Sequence, residues 1–193
     1  MKQSLRQSII AARQNLAAAD RAAFSRAITA RLAALAAYQG AATVLAYMSF
    51  GAEFETTAWV QQALHDNKQV LLPRVNRGSR ELDLFQIEDL QQDLAPGSWD
   101  IPEPQPERCR KVENLNEVDF ILLPGVAFAS NGARLGYGGG FYDKLLARMP
   151  HQPALVAAAF SMQLVADLPQ EATDRKVEWL LTEHANIHCS AQP

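Results

Sequence analysis

Residues 118–149 read VDFILLPGVAFASNGARLGYGGGFYDKLLARM, an apolar run, a glycine-dense loop and a helix-like segment laid end to end. The run VDFILLPG (118–125) has the length and composition of a buried strand. In RLGYGGGFYDK (134–144), Gly136, Gly138, Gly139 and Gly140 make up four of the ten glycines in the chain. Glycine loses more conformational entropy on folding than any other residue. A cluster is therefore costly unless backbone must turn tightly or approach something closely. From about Gly139 to Met149 the pattern is helical. A glycine loop that follows a strand and opens a helix sits where unpaired N–H groups and the positive end of the helix dipole favour an anion. A flexible hinge has no need of that placement; a phosphate cradle does.

Outward from this stretch the pattern alternates. Residues 2–37 read as two helices meeting near Ala17 to Asp20, with Asp20 as the N-cap of RAAFSRAITARLAALAAY. TVLAYMSF (43–50) reads as a strand, ETTAWVQQALHDN (55–67) as a helix, and KQVLLPRV (68–75) and LDLFQI (82–87) as strands. LAPGSWDIPEPQPE (94–107), with four prolines and a glycine, is a loop of defined shape. ALVAAAF (154–160) and VEWLLTE (177–183) are further strands. Strands alternating with helices argue for an α/β fold with an open, largely parallel sheet flanked by helices, a Rossmann-like three-layer arrangement preceded by two N-terminal helices. In such sheets ligands bind outside the carboxyl ends of the strands, where the glycine cluster is expected.

The chain of 193 residues suits one domain, residues 1–193, with no internal repeat or low-complexity linker to divide it. A net charge of −3 argues against nucleic-acid binding, so phosphate recognition requires a local basic cluster. Cys109 and Cys189 are the two cysteines, with no zinc spacing, which fits a reduced, cytoplasmic setting. The N-terminal MKQSLRQSIIAARQNL is amphipathic, lacks the apolar core of a signal peptide, and faintly resembles a transit peptide in its Lys2, Arg6 and Arg13. No apolar run is long enough to span a membrane. The four histidines, His65, His151, His184 and His188, lack ligand spacing.

The glycine loop is not a Walker A loop, because no Gly-Lys-Ser/Thr follows at the required spacing, and Phe141 stands where the last glycine of GxGxxG belongs. What remains is Arg134, Leu135, Gly136, Gly138, Gly140, Phe141, Tyr142 and Asp143 in the pattern R-L-G-x-G-x-G-[YF]-Y-D. Here the sequence resembles the 5-formyltetrahydrofolate cyclo-ligase, or methenyltetrahydrofolate synthetase, family. The family's K-x-x-L-R is met by Lys2, Leu5 and Arg6, and its glutamate two residues ahead of E-T by Glu53 in SFGAEFET. W-x-I-P is present as Trp99, Ile101 and Pro102, and D-x-K-V as Asp174, Lys176 and Val177. One departure is visible: the family usually has aspartate where this sequence has Ala129, a difference that bears on loop ordering more than on chemistry.

The resemblance implies ATP-dependent closure of 5-formyltetrahydrofolate to 5,10-methenyltetrahydrofolate, with ADP and phosphate released. It assigns ATP contacts to Lys2, Gln3, Ser4, Leu5 and Arg6, and to Arg134, Leu135, Gly136, Tyr137, Gly138, Gly139, Gly140, Phe141 and Tyr142. Folate contacts fall to Met48, Glu53, Trp99, Tyr137, Gly138, Gly139, Gly140 and Phe141; Tyr47 reads as core. Arg134 and Tyr142 are the implied catalytic residues. Asp143 and Asp174 are the implied Mg²⁺ ligands, since magnesium typically takes one or two carboxylates beside phosphates and water. Taken alone, Asp143 is a carboxylate complementing a helix dipole, Lys2 and Arg6 are solvated helix charges, and Glu53 is a helix-terminal charge. The expected partners are two small molecules, the folate and ATP, acting on a monomer. A folate- or nucleotide-binding regulator without catalysis and a sugar-phosphate isomerase are the competing readings; fold alone does not choose among them.

Overall fold

The computed structural model describes residues 2–171 and 174–189, and its frame is an eight-stranded sheet. The two expected helices are present as α1 (Lys2–Gln14) and α2 (Ala18–Ala34), but they meet at residues 15–17, slightly before the expected junction near Ala17 to Asp20. Asp20 is not the cap. Ala17 holds the N-cap position without a side-chain hydrogen bond, and Asp20 sits in the first turn, where its charge complements the dipole. Extended Leu35 then breaks the helix before the short α3 (Ala36–Gly40), burying Leu35 and Tyr38.

The strands follow as β1 (Thr43–Leu45), then helix α4 (Thr57–His65), β2 (Gln69–Asn76) and β3 (Glu81–Ile87). A proline-rich hairpin of β4 (Leu94–Pro96) and β5 (Pro102–Pro104) precedes β6 (Arg110–Val112) and β7 (Phe120–Leu123). Next come β8 (Ala127–Ala129), β9 (Arg134–Leu135), helix α5 (Phe141–Ala147), β10 (Ala154–Ala158), β11 (Leu164–Val165), β12 (Trp179–Leu181) and β13 (Asn186–His188). The order across the main sheet is β13-β12-β10-β7-β1-β2-β3-β6. From β12 to β2 every pairing is parallel, while β13 at one edge and β3 with β6 at the other run antiparallel. The open, largely parallel sheet is therefore as its sequence predicts.

Alternation along each strand divides the core into two layers. Phe120 and Leu122 face one way, packing with Ile28, Leu32, Tyr38, Trp59 and Val60 of α2, α3 and α4. Ile121 and Leu123 face the other way, packing with Leu145 and Leu146 of α5. Central parallel strands are covered on both faces, which is why 120–123 reads as continuously apolar.

Two expectations about the central stretches need correcting. The strand expected over 43–50 ends its pairing at Leu45; Ala46 N–H still donates to Leu71 O at 2.9 Å, and the chain then leaves the sheet. The glycine loop does not follow β7 directly either. The β8–β9 hairpin intervenes, in a small sheet of order β11-β8-β9. Its turn holds Gly132 at φ +85°, where a Cβ would come within 2.4 Å of Val177 O, so only glycine fits. Ala129, where the family usually has aspartate, is buried in β8. That turn is tied instead by Ala129 N–H donating to Ala133 O (3.0 Å) and by Asn131 Oδ1 accepting from Ala133 N–H (3.0 Å).

Candidate functional site

The chain reverses its direction of travel across the sheet at β1, which has β2 on one side and β7 on the other. Beyond the carboxyl ends of strands at such a switch point the connections diverge and leave a crevice. A cavity of about 830 Å³ occupies this place. Tyr47, Met48 and Glu53 enter it from the segment after β1, Pro124 from the end of β7, and the glycine loop from beyond β9. Lys2 and Arg6 of α1, Trp99 of the proline-rich hairpin, and Asp174 complete its wall.

Most sequence-predicted site residues are brought together here. Lys2, Arg6, Met48, Glu53, Trp99, Asp143, Asp174 and the whole run from Arg134 to Tyr142 line the cavity. Gln3, Ser4 and Leu5 do not; Leu5 packs with Ile9 against a small cluster containing Ala127, Ala133 and Leu135. Tyr47, which reads as core, is buried but also reaches the cavity wall.

Arg134 is held firmly. Its Nη2 donates to Asp143 Oδ1 at 2.7 Å and its Nη1 to Pro124 O at 3.1 Å, while its buried Nε has no partner. Its side chain is 7% exposed and that of Asp143 34%, so the pair is half-shielded from water. Gly140 opens α5 in the left-handed region at φ +66°, and Gly138 stands at φ +98°, conformations that explain two of the four clustered glycines. Gly139 is glycine for another reason: a Cβ there would lie 2.7 Å from the Phe141 ring. On the other flank Arg6 Nε donates to Gly136 O at 2.7 Å, tying the loop to α1. Lys2 Nζ meets Glu171 Oε1 at 2.8 Å.

Glu53 is the buried carboxylate of the site, 5% exposed. Its Oε2 accepts from Phe50 N–H at 3.1 Å and its Oε1 from the Tyr137 hydroxyl at 2.5 Å. Burial pushes its pKa up, and the hydrogen bonds from Tyr137 and Phe50 and the charge of Arg13 pull it back. The same Tyr137 oxygen accepts from Arg13 Nη2 at 2.7 Å. Neither Arg13 nor Phe50, whose ring lies 5.2 Å from that of Tyr137, carries a sequence signal of function. Tyr142 brings a buried hydroxyl without a hydrogen-bond partner; burial raises its pKa, opposed by Arg134 and reinforced by Glu53. Trp99 is 72% exposed and holds left-handed backbone at φ 57°, as does Asp100 after it. An indole in that state is an available stacking surface.

Among the described residues no three His, Cys, Asp or Glu side chains converge to hold a metal ion. Asp143 and Asp174 both line the cavity, and Asp174 Oδ2 accepts from Glu171 N–H at 2.8 Å. Hard carboxylate oxygens beside a cavity fit magnesium shared with phosphates, not an all-protein metal cage. Among the described residues no helix is long and apolar enough to cross a membrane.

The sequence profile of the 5-formyltetrahydrofolate cyclo-ligase family matches residues 1–183. The chain is 32% identical to 5-formyltetrahydrofolate cyclo-ligase of Haemophilus influenzae, over 90% of this chain and 92% of that protein. It is 37% identical to the Escherichia coli K12 enzyme of the same name, over 68% of this chain and 72% of the relative. The NMR structure of Aquifex aeolicus 5,10-methenyltetrahydrofolate synthetase superposes with a TM-score of 0.85 at 32% identity, covering 97% of this chain and 92% of that one. With the glycine loop, the switch-point cavity and these relatives in agreement, the chain belongs to the 5-formyltetrahydrofolate cyclo-ligase family.

Proposed function

We propose that the protein closes 5-formyltetrahydrofolate to 5,10-methenyltetrahydrofolate at the expense of ATP, within the switch-point cavity. The observation that carries this reading is the reach of one loop: Arg134 at its start neighbours Asp143, and Tyr137 at its middle touches Glu53. A phosphate-type cradle and a buried carboxylate for a ligand's N–H groups thus share one cavity, as a reaction between a nucleotide and a folate demands.

The chemistry starts from an N-formyl group, whose oxygen is a poor leaving group. The terminal phosphoryl of ATP passes to that oxygen as its bond to ADP breaks. N10 of the same folate then attacks the formyl carbon, loses its proton, and phosphate departs with the C–O electron pair. Phosphoryl transfer of this kind depends on positioning and charge neutralisation. Arg134, already fixed by Pro124 O, keeps a planar fork beside the loop for phosphate oxygens. Lys2 and Arg6 add charge from α1, and Glu53 accepts from pterin N–H groups while Met48 and Trp99 form apolar walls. Tyr142, with its unpartnered hydroxyl, is a donor available to the formyl oxygen. Asp143 and Asp174, which both line the cavity, would hold Mg²⁺, which when bound neutralises phosphate charge.

Mixing the protein with 5-formyltetrahydrofolate, ATP and Mg²⁺ tests the reading through the absorbance of the methenyl product. Product should form only when ATP is present. Tight binding of both ligands without any product would support the regulatory reading instead.

A further inference from the structure

Arg13 is a buried charge without an assigned task. It is 3% exposed, its Nε has no partner, and among the described residues it forms no direct ion pair with a carboxylate. Burying a guanidinium is costly unless it is well hydrogen-bonded. Its Nη2 donates to the Tyr137 hydroxyl at 2.7 Å. Tyr137 has one hydroxyl hydrogen, which it donates to Glu53 Oε1 at 2.5 Å. Arg13 has no acceptor atom, so the direction of the chain is fixed: Arg13 donates to Tyr137, and Tyr137 donates to Glu53. Two turns before Arg13, α1 also fixes the loop backbone, through Arg6 Nε and Gly136 O at 2.7 Å. At about 100° per residue, Lys2, Arg6 and Arg13 fall within roughly 40° of one another around α1. A single helix stripe thus serves both ends of the cavity.

We propose that Arg13 is a positioning residue for the folate half of the site, acting through Tyr137 to keep Glu53 oriented and ionised for the pterin. The proposal rests on the assignment of Glu53 to the folate. A carboxylate has about four acceptor positions. Phe50 N–H and the Tyr137 hydroxyl occupy two, one on each oxygen, which leaves two for a pterin's neighbouring N–H donors. A protonated Glu53 would offer fewer, so its charge must be defended against burial. The groups facing it are Arg13 from α1, Tyr137 from the glycine loop, Tyr47 from beyond β1 and Tyr142 from α5. Of these, only Arg13 is a cation, and its effect is to lower the glutamate's pKa. The link also makes the glycine loop a shared element, since displacing Tyr137 would loosen Glu53.

The test is calorimetric titration of the full chain with 5-formyltetrahydrofolate in the absence of ATP, across pH, for wild type, Arg13→Met, Arg13→Lys, Tyr137→Phe and Arg13→Met/Tyr137→Phe. Arg13→Met should weaken binding at neutral pH roughly tenfold, the scale of a charge-assisted hydrogen bond, and move the pH midpoint of binding upward. Arg13→Lys should restore the midpoint. In the Tyr137→Phe background the Arg13 substitution should cost no more than about a factor of two in affinity, because the connecting hydroxyl is already gone. Additive losses with an unmoved midpoint would overturn the proposal and leave Arg13 a packing residue. If Arg13→Met does not fold, Arg13→Lys and Tyr137→Phe decide: the proposal stands only if the lysine variant keeps the wild-type midpoint and the phenylalanine variant raises it. Absence of folate binding by wild type, or binding unaffected by Glu53→Gln, would remove the folate assignment itself.

Discussion

Replacing Asp143 by asparagine separates two roles that share one carboxylate. In the ligand-free protein Asp143 Oδ1 accepts from Arg134 Nη2 at 2.7 Å, with the arginine side chain 7% exposed and the aspartate 34%. A hydrogen bond to a charged group contributes about 1.5–3 kcal/mol, and the aspartate's exposure discounts that figure. Asparagine keeps an oxygen that can accept from Nη2, so only the charge assistance is lost, roughly 1 kcal/mol. For a chain of this size that lowers the melting temperature by about 2–4 °C. The catalytic effect reads out separately. If Asp143 helps hold Mg²⁺ beside the phosphates, losing its charge should raise the Mg²⁺ needed for half-maximal activity roughly tenfold, and excess metal should recover part of the rate. The assay is a Mg²⁺ titration of product formation at saturating ATP, paired with thermal unfolding of the ligand-free variant. An unshifted Mg²⁺ curve refutes the metal role; an unshifted melting temperature refutes the worth assigned to the ion pair.

Other substitutions probe the remaining walls. Arg134→Lys keeps the charge but loses the planar fork, and kcat/KM for ATP should drop roughly 10²-fold; a drop below about threefold would mean that charge alone suffices. Glu53→Gln should abolish most 5-formyltetrahydrofolate binding while ATP affinity, measured separately, stays within about a factor of two. The same variant has a predictable stability signature. Burial raises the folded pKa of Glu53 above its ordinary 4.5, so the folded state binds its proton more tightly than the unfolded chain. Its contribution is then fully present below 4.5 and lost as pH rises through the folded value, and Glu53→Gln should flatten that decline in urea unfolding. Trp99→Gly removes a side chain that is 72% exposed and relieves φ 57°, so stability should change little. The KM for 5-formyltetrahydrofolate should nonetheless rise roughly tenfold if the indole stacks on the ligand; an unchanged KM would take Trp99 out of the site.

The central layers were readable because burial on both faces leaves a mark on sequence. Phe120, Ile121, Leu122 and Leu123 are all buried, alternate between two cores, and produce a run that needs no partner to be recognised. The shorter pieces leave no such mark. β9 is two residues long and β6 and β13 are three each, too short for a periodicity to show, and β6 pairs with β3 more than twenty residues earlier. The hairpin of β4 and β5 hides among prolines, which restrict the backbone without announcing a strand. The end of β1 at Leu45 is hidden for a related reason. Residues 46–50 have strand-like composition, yet beyond Leu45 the chain diverges to build the cavity wall. Pattern reports what a segment is able to form, and the switch point decides where pairing stops.

The same distinction explains which site residues were visible. Arg134, the four loop glycines, Phe141, Tyr142 and Asp143 are contiguous, so their chemistry appears as a motif. Glu53 and Trp99 stand apart and are found only through resemblance. Arg13 escaped both routes, because an arginine seven residues after Arg6 on an amphipathic helix reads as ordinary surface charge. Its spacing did carry information: a separation of seven returns to nearly the same helix face as Arg6. What sequence could not supply was the inward direction of that face. Only when α1 lies along the glycine loop, with Arg6 on Gly136 and Arg13 on Tyr137, does the stripe turn from solvent to site. The two contacts land on neighbouring loop residues, so moving α1 moves the phosphate and folate ends of the loop together. An N-terminal truncation that removes Lys2 and Arg6 should consequently weaken folate binding as well as ATP binding, although neither residue touches Glu53. A truncated protein that stays folded, binds 5-formyltetrahydrofolate as wild type does and loses only ATP affinity would show that the two halves are independent.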